Sequence, residues 1–309
     1  MAFREIYRRQ VQLLIRVLPS IGEEACFALK GGTAINLFVH DMPRLSVDID
    51  LTYLPIQPRA ESLAAIDAAM KRIAGRIRKT IPGAQVVETA LRPENTVYKL
   101  LPRTGGVQTK IEVTPVLRGS VYDPELRAVS RAVEEAFGFA EARVVSFADL
   151  YAGKMVAALD RQHPRDFFDI RDLLANEGID ETLRRTFLVY LLGHNRPLFE
   201  LLSPHKKSLQ AEFRRGFLGM TPEPVSLKAL TDARQALMDV AVRQMPEAHR
   251  RFLLSFEQGK PDWPLLALSS AAALPAVRWR QQNLAKLTSA QRAKLVSRLE
   301  AVLEDSKGK

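Results

Sequence analysis

One cysteine, Cys26, stands in 309 residues. An intramolecular disulfide is thereby excluded, and a reducing cytoplasm is the expected compartment. Long apolar runs are missing too: none approaches the roughly 18 residues that a membrane helix needs. The longest weakly polar stretch, Pro264 to Val277, carries serines and prolines and reads as packed helix. Arg16 interrupts the apolar run from Leu13 to Leu18, so the basic N-terminus holds no signal-peptide core. There is no fixed-period repeat and no low-complexity tract, and the histidines show no metal-ligand spacing. A soluble cytoplasmic protein with no membrane partner is expected.

The hydrophobic fraction of 47% is ordinary for a folded chain, and the length suits two domains. The net charge of +10 is uneven. Lysines and arginines number 24 against 23 acidic residues up to position 180, and 21 against 12 beyond it. Such asymmetry points to a polyanionic partner or to a solubilising helical surface.

Apolar positions Ile6, Val11, Leu14 and Val17 predict an amphipathic helix over 4–17. Cys26 to Leu29 reads as a strand, Thr33 to Val39 as a helix, and the segment around Asp48 and Asp50 as a strand. A long helix is expected over 60–79, ended by Pro82-Gly83. Strand-like runs follow near 84–90, 96–102 and 107–116, with a hairpin turn at Arg103–Gly106. From Ser146, which suits a helix cap, the patterns are helical. These readings predict an α/β (α+β) core over 1–145 and a helical domain over 146–309, and monomer is the default.

The chemistry is concentrated early. Asp48 and Asp50 alternate with Val47, Ile49 and Leu51, so both carboxylates project from one face of a strand. Neighbouring carboxylates repel, and a divalent cation relieves them. Upstream, Gly31-Gly32-Thr33 opens a helix with bare backbone, which suits a phosphate. A phosphate cradle beside a metal pair implies phosphoryl or nucleotidyl transfer. Glu112, acidic in the strand-like run Lys110–Thr114, is the candidate third metal carboxylate. Arg44 and Ser46 flank the aspartates and are candidate phosphate contacts, while Lys30 reads equally as a strand-end lysine. Lys154 and Arg161 share a helical face, where a lysine could neutralise a departing phosphate, and Asp166 could orient either by a charge-assisted hydrogen bond.

Three segments together, Lys30-Gly31-Gly32-Thr33-Ala34, Arg44-x-Ser46-x-Asp48-x-Asp50-Leu51 and Lys154…Arg161…Arg165-Asp166-x-x-Asp169, resemble the AbiEii/AbiGii toxin family of nucleotidyltransferases. The resemblance covers residues 25–175. It implies a polymerase-β-like nucleotidyltransferase core with a mixed sheet and a helical C-terminal lobe. It also implies Mg²⁺ chemistry on a nucleoside triphosphate, and a toxin of a toxin–antitoxin or phage-defence system with a cognate antitoxin. Some members extend the 3′ end of tRNA and block aminoacylation. By position, Asp48 and Asp50 correspond to the family's metal pair, Ser46 to its serine, Lys154 to its triphosphate lysine and Asp166 to its later essential aspartate. Gly31-Gly32 stands where related enzymes have Gly-Ser, which leaves Thr33 as the nearby hydroxyl.

The leading expectation is therefore transfer of a nucleotide to RNA, most specifically the tRNA acceptor end. Arg214, Arg215, Arg250, Arg251, Arg278 and Arg280 are candidates to grip the backbone, with Trp279 or Phe252 to stack. The competing readings are transfer to a protein hydroxyl or a small molecule such as an antibiotic, and a nonenzymatic RNA-binding protein.

Overall fold

The computed structural model describes residues 3–305. The chain falls into two compact units. The first runs through Leu150 and takes back Leu218–Pro224, and the second comprises Tyr151–Phe217 and the chain from Val225. Backbone hydrogen bonds explain the excursion: Leu45 donates to the Met220 carbonyl at 2.7 Å and Arg4 to the Gly219 carbonyl at 3.1 Å. A linear boundary at 145 does not include that return.

The first unit is a mixed α/β fold. Helix α1 (Glu5–Gly22) is followed by β1 (Phe27–Lys30) and α2 (Gly31–Ala34), which continues as a π-turn over Ile35–Val39. Then come β2 (Asp48–Tyr53), α3 (Arg59–Thr80), β3 (Gln85–Leu91), β4 (Thr96–Thr104), β5 (Val107–Gln108) and β6 (Lys110–Val113). Finally β7 (Glu125–Ala128), α4 (Arg131–Phe137) and β8 (Glu141–Val144) complete the sheet. Strand order is β3-β4-β6-β2-β1-β8-β7, with β5 paired to β4. Strand β1 runs antiparallel to β2 and parallel to β8; β2 runs parallel to β6, which is antiparallel to β4.

The core follows from periodicity. In α3, Leu63, Ile66, Met70, Ile73 and Ile77 recur at helical spacing and are all buried. In β2 and β6 the period is two: Ile49, Leu51, Ile111 and Val113 are fully enclosed, while Asp48, Asp50, Lys110 and Glu112 occupy the other face. Glu24, between α1 and β1, is buried and accepts two hydrogen bonds from Arg72 of α3 at 2.9 and 2.7 Å.

Three expectations need correction. The run 107–116 is two strands, because the buried Thr109 turns its hydroxyl to the Val47 carbonyl at 2.6 Å and parts β5 from β6. Strands β7 and β8 lie in a stretch to which no structure was assigned. Pro264 to Val277 is not one packed helix: 3₁₀ turns at Trp263–Leu265 and Ser269–Ala273 precede a helix that starts at Pro275. The second unit is helical throughout its described residues, beginning within α5 (Phe147–Arg161) and continuing with α6 (Pro164–Asn176). Ser146 caps α5, its hydroxyl accepting from the Asp149 amide at 3.0 Å.

Candidate active site

Strand register assembles a charged row on one face of the first unit's sheet. Lys30 lies opposite Asp50, Asp50 opposite Glu112, Asp48 opposite Lys110, and Glu112 opposite Lys99 of β4. Directly paired residues share a face, so three carboxylates and three ammonium groups interleave there. Lys110 Nζ meets Glu112 Oε2 at 2.9 Å, and Lys30 Nζ approaches Thr114 Oγ1 at 3.5 Å. Burial alone would lower the Lys110 pKa; the Glu112 hydrogen bond and the charges of Asp48, Asp50 and Glu112 outweigh it and hold it raised. For Lys30 burial prevails and the pKa falls, although Asp50 and Glu112 oppose it. The expectations had singled out Asp48, Asp50 and Glu112. The lysines between them were legible only as same-face neighbours.

The glycine turn presses directly on this row. Gly31 has φ +74°, and a Cβ built there would stand 2.6 Å from Asp50 Oδ2. Only glycine accepts both that conformation and that approach. A Cβ at Gly32 would lie 2.7 Å from Arg44 Nη2 and 3.1 Å from Ser46 Oγ. The Thr33 and Ser46 hydroxyls are hydrogen-bonded at 3.0 Å, and Thr33 also donates to the Asp48 carbonyl. Asn36 Nδ2 donates to the Gly32 carbonyl at 2.9 Å. The turn, α2 and the start of β2 are thus tied into one rigid unit. Thr33 and Ser46 are buried within it and spend their hydrogen bonds inward.

Arg44 departs from expectation. Its side chain is enclosed at 1% exposure and donates from Nη1 to the Leu45 carbonyl at 3.0 Å. Its guanidinium packs against the glycine turn, Nη2 standing 2.7 Å from where a Cβ at Gly32 would lie.

The second unit holds a separate cluster. Lys154 Nζ lies 3.0 Å from Asp166 Oδ1 and 2.8 Å from Asp169 Oδ2, all three side chains being enclosed. Arg161 grips Asp166 with two hydrogen bonds, Nε to Oδ2 at 2.6 Å and Nη2 to Oδ1 at 2.7 Å, while its side chain remains 60% exposed. Burial would raise the Asp166 pKa, but Lys154 and Arg161 hold it far below the usual carboxylate range. Asp166 accepts hydrogen bonds from both Lys154 and Arg161. In this arrangement Arg161, not Lys154, is the cation that reaches the surface.

A family model described as "Nucleotidyl transferase AbiEii toxin, Type IV TA system" matches residues 12–283. The chain belongs to the AbiEii family. It is accordingly a nucleotidyltransferase, a toxin of a type IV toxin–antitoxin system. Such a system implies a nucleoside triphosphate substrate and an antitoxin partner. No curated protein matches the chain significantly. Among solved structures it is similar to MenT4, a nucleotidyltransferase toxin from Mycobacterium tuberculosis H37Rv, at 18% identity, with 96% of this chain and 92% of that chain covered and a TM-score of 0.54. That likeness supports the fold.

Hard oxygen donors are the chemistry a magnesium ion prefers, and the Asp48, Asp50 and Glu112 row supplies them. Among the described residues no three acidic, histidine or cysteine side chains converge as a ready-made metal cage. Glu112 is instead engaged by Lys110. The donor set fits a divalent cation, with Glu112 paired to Lys110 on the same face.

The basic candidates beyond residue 180 divide into two groups. Arg214, Arg215, Arg251 and Arg278 are exposed, as is Trp279. Arg250 is buried and donates to the carbonyls of Met245, Val242, Arg243 and Leu303. Arg280 pairs with the buried Glu257 at 3.3 Å, and Phe252 is fully enclosed. These three are helix-packing residues and cannot grip or stack on RNA.

No described helix is long and apolar enough to cross a membrane.

Proposed function

We propose that this AbiEii-family chain transfers a nucleoside monophosphate from a triphosphate to RNA, with the tRNA 3′ acceptor end as the specific target. Blocked aminoacylation, and hence growth arrest in a defence setting, would follow. The supporting observation is the abutment of the Gly31-Gly32 turn on Asp50, with Asp48 beside it on the same strand face.

Asp48, Asp50 and Glu112 would hold magnesium, which when bound supplies neutralisation of phosphate charge. In the reaction the acceptor hydroxyl oxygen bonds to the α-phosphorus, the α–β bridging bond breaks, and pyrophosphate leaves. The hydroxyl proton passes to a carboxylate of the row. Bare backbone at Gly31-Gly32 lets phosphate oxygens approach the start of α2, and the Thr33–Ser46–Asp48 hydrogen bonds keep that turn in register with β2. Exposed Arg214, Arg215, Arg251 and Arg278 supply a salt-sensitive hold on an RNA backbone.

The test incubates purified protein with total tRNA, Mg²⁺ and each labelled triphosphate in turn. Label in tRNA, lost in Asp48→Asn and Asp50→Asn, is the expected result. Absence of label in RNA for all four triphosphates, from folded protein, refutes the reading. Label in a protein band or small molecule redirects it to another acceptor.

A further inference from the structure

At the end of β2 away from the aspartates lies a buried guanidinium with no counter-charge. Arg118 is 8% exposed, and its Nε and Nη1 are fully enclosed without a hydrogen-bond partner. Its loop is fixed against β2: Thr52 donates to the Leu117 carbonyl at 3.3 Å, and Gly119 donates to the Tyr53 carbonyl at 2.7 Å. Arg118 is therefore held in place instead of drifting to solvent. Burial lowers its pKa, as does the charge of Arg59; the only opposing group is the Tyr53 phenol, neutral at pH 7. Among the described residues no carboxylate is paired with it. Glu94 is taken by Arg59 at 2.8 Å, and Glu61 is felt by Tyr53 instead.

A buried charge left this way is costly, and native structures satisfy such groups with ordered water, an ion or a ligand. Tyr53 links this loop to the start of α3: its carbonyl accepts from Gly119 at 2.7 Å, and its hydroxyl donates to Gln57 Oε1 at 2.8 Å. Arg59 is the first residue of α3, a helix of 22 residues whose N-cap position is Pro58 and has no side-chain cap. The first helical bond runs from Ser62 to the Pro58 carbonyl, which leaves the amides of residues 59–61 at the positive end of the helix dipole.

We propose that Arg118, Arg59 and the first turn of α3 form an oxyanion site for a phosphate group, separate from the catalytic row. Asp50, the nearest β2 carboxylate of the row, is three residues from Tyr53, so roughly 10 Å of strand separates it from the Tyr53 end. The phosphate is either free inorganic phosphate or a phosphodiester of a bound RNA strand. The site does not depend on the transfer reaction proposed above.

The experiment uses the full chain with two probes: inorganic phosphate, and a short RNA oligonucleotide without terminal phosphates. Arg118→Met and Arg118→Gln are compared with wild type and with Asp50→Asn. Because Arg118 has no partner to lose, Arg118→Met should melt at or above the wild-type temperature when no anion is present. Affinity for one probe should fall at least about tenfold in both Arg118 variants and survive in Asp50→Asn. Loss of phosphate binding identifies the free anion as ligand, whereas loss of oligonucleotide binding alone identifies the phosphodiester. The proposal is overturned if both probes bind the Arg118 variants as they bind wild type. It is equally overturned if Arg118→Met melts several degrees lower, or if Glu61→Gln and Arg118→Gln destabilise non-additively, since Arg118 would then be serving the fold as an internal ion pair.

Discussion

Replacing Asp166 by Asn should damage this protein through its fold before it touches chemistry. The Asp166 carboxylate is fully buried and receives Lys154 at 3.0 Å and Arg161 at 2.6 and 2.7 Å. Asparagine is nearly isosteric, so no cavity opens. What disappears is one of the two carboxylate charges that face the enclosed Lys154 ammonium, leaving Asp169 alone beside it. Removing one member of a buried ionic cluster costs about 3–5 kcal/mol. For a unit of this size that corresponds to a fall in melting temperature of roughly 6–20 °C. Thermal and urea unfolding measure it directly.

The pH dependence gives the same perturbation a second reading. The folded-state pKa of Asp166 is depressed below the unfolded carboxylate value of about 3.9. Its contribution to stability is therefore complete above that value and is lost as pH falls below it. Asp166→Asn should flatten the acid limb of the stability profile and leave the profile above pH 5 parallel to wild type. A double-mutant cycle with Lys154→Met should show coupling of at least about 1 kcal/mol. If Asp166→Asn unfolds within about 0.5 kcal/mol of wild type, or leaves the acid limb unchanged, the cluster is not the brace described here.

Three further outcomes are expected. Gly31→Ala places a methyl 2.6 Å from Asp50 Oδ2 at φ +74°, so it should cost at least about 1 kcal/mol in unfolding experiments and abolish nucleotide transfer while the helical unit still folds. His163 caps α6 by accepting the Arg165 amide at 3.1 Å, and burial, then Arg165, depress its pKa to about 4. A histidine depressed in this way stabilises the fold above the unfolded value of about 6.5 and loses that contribution as pH falls toward 4, so His163→Asn should flatten the stability profile between those limits. Lys110→Met leaves Glu112 without its 2.9 Å partner, and the increase in melting temperature on adding Mg²⁺ should be larger in this variant than in wild type. An equal increase would show that Lys110 does not compete for the carboxylate row.

Legibility in the sequence followed the strength of the local pattern. The long α3 and the Asp48–Asp50 strand were readable because an unbroken period fixed both the element and the buried face. Strand β8, Glu-Ala-Arg-Val, does alternate, with Ala142 and Val144 buried, but four residues are too short to separate from a loop. Strand β7 exposes Leu126 and carries no alternation at all. The site residues were legible as types but not in their burial. Nothing local distinguishes Arg44, enclosed behind Gly32, from an arginine facing a phosphate, because that difference depends on residues brought together by tertiary contact. The same holds for Arg250 and Arg280, whose guanidinium groups bind main-chain carbonyls far along the chain. Charge counting placed a basic surface after residue 180, and packing removed two of its six named arginines.

The interleaved lysines give the candidate active-site face its particular character. A row of three carboxylates alone would repel itself and would strain the sheet whenever no cation was present. Lys110 and Lys30 relieve this without leaving the strand face, because the parallel β2–β6 register and the antiparallel β1–β2 register each set a lysine opposite or beside an acid. Lys110 occupies Glu112 Oε2 at 2.9 Å, and its register opposite Asp48 keeps the ammonium on the carboxylate face. One side chain thus offsets the acidic row from within, and this follows from strand register alone.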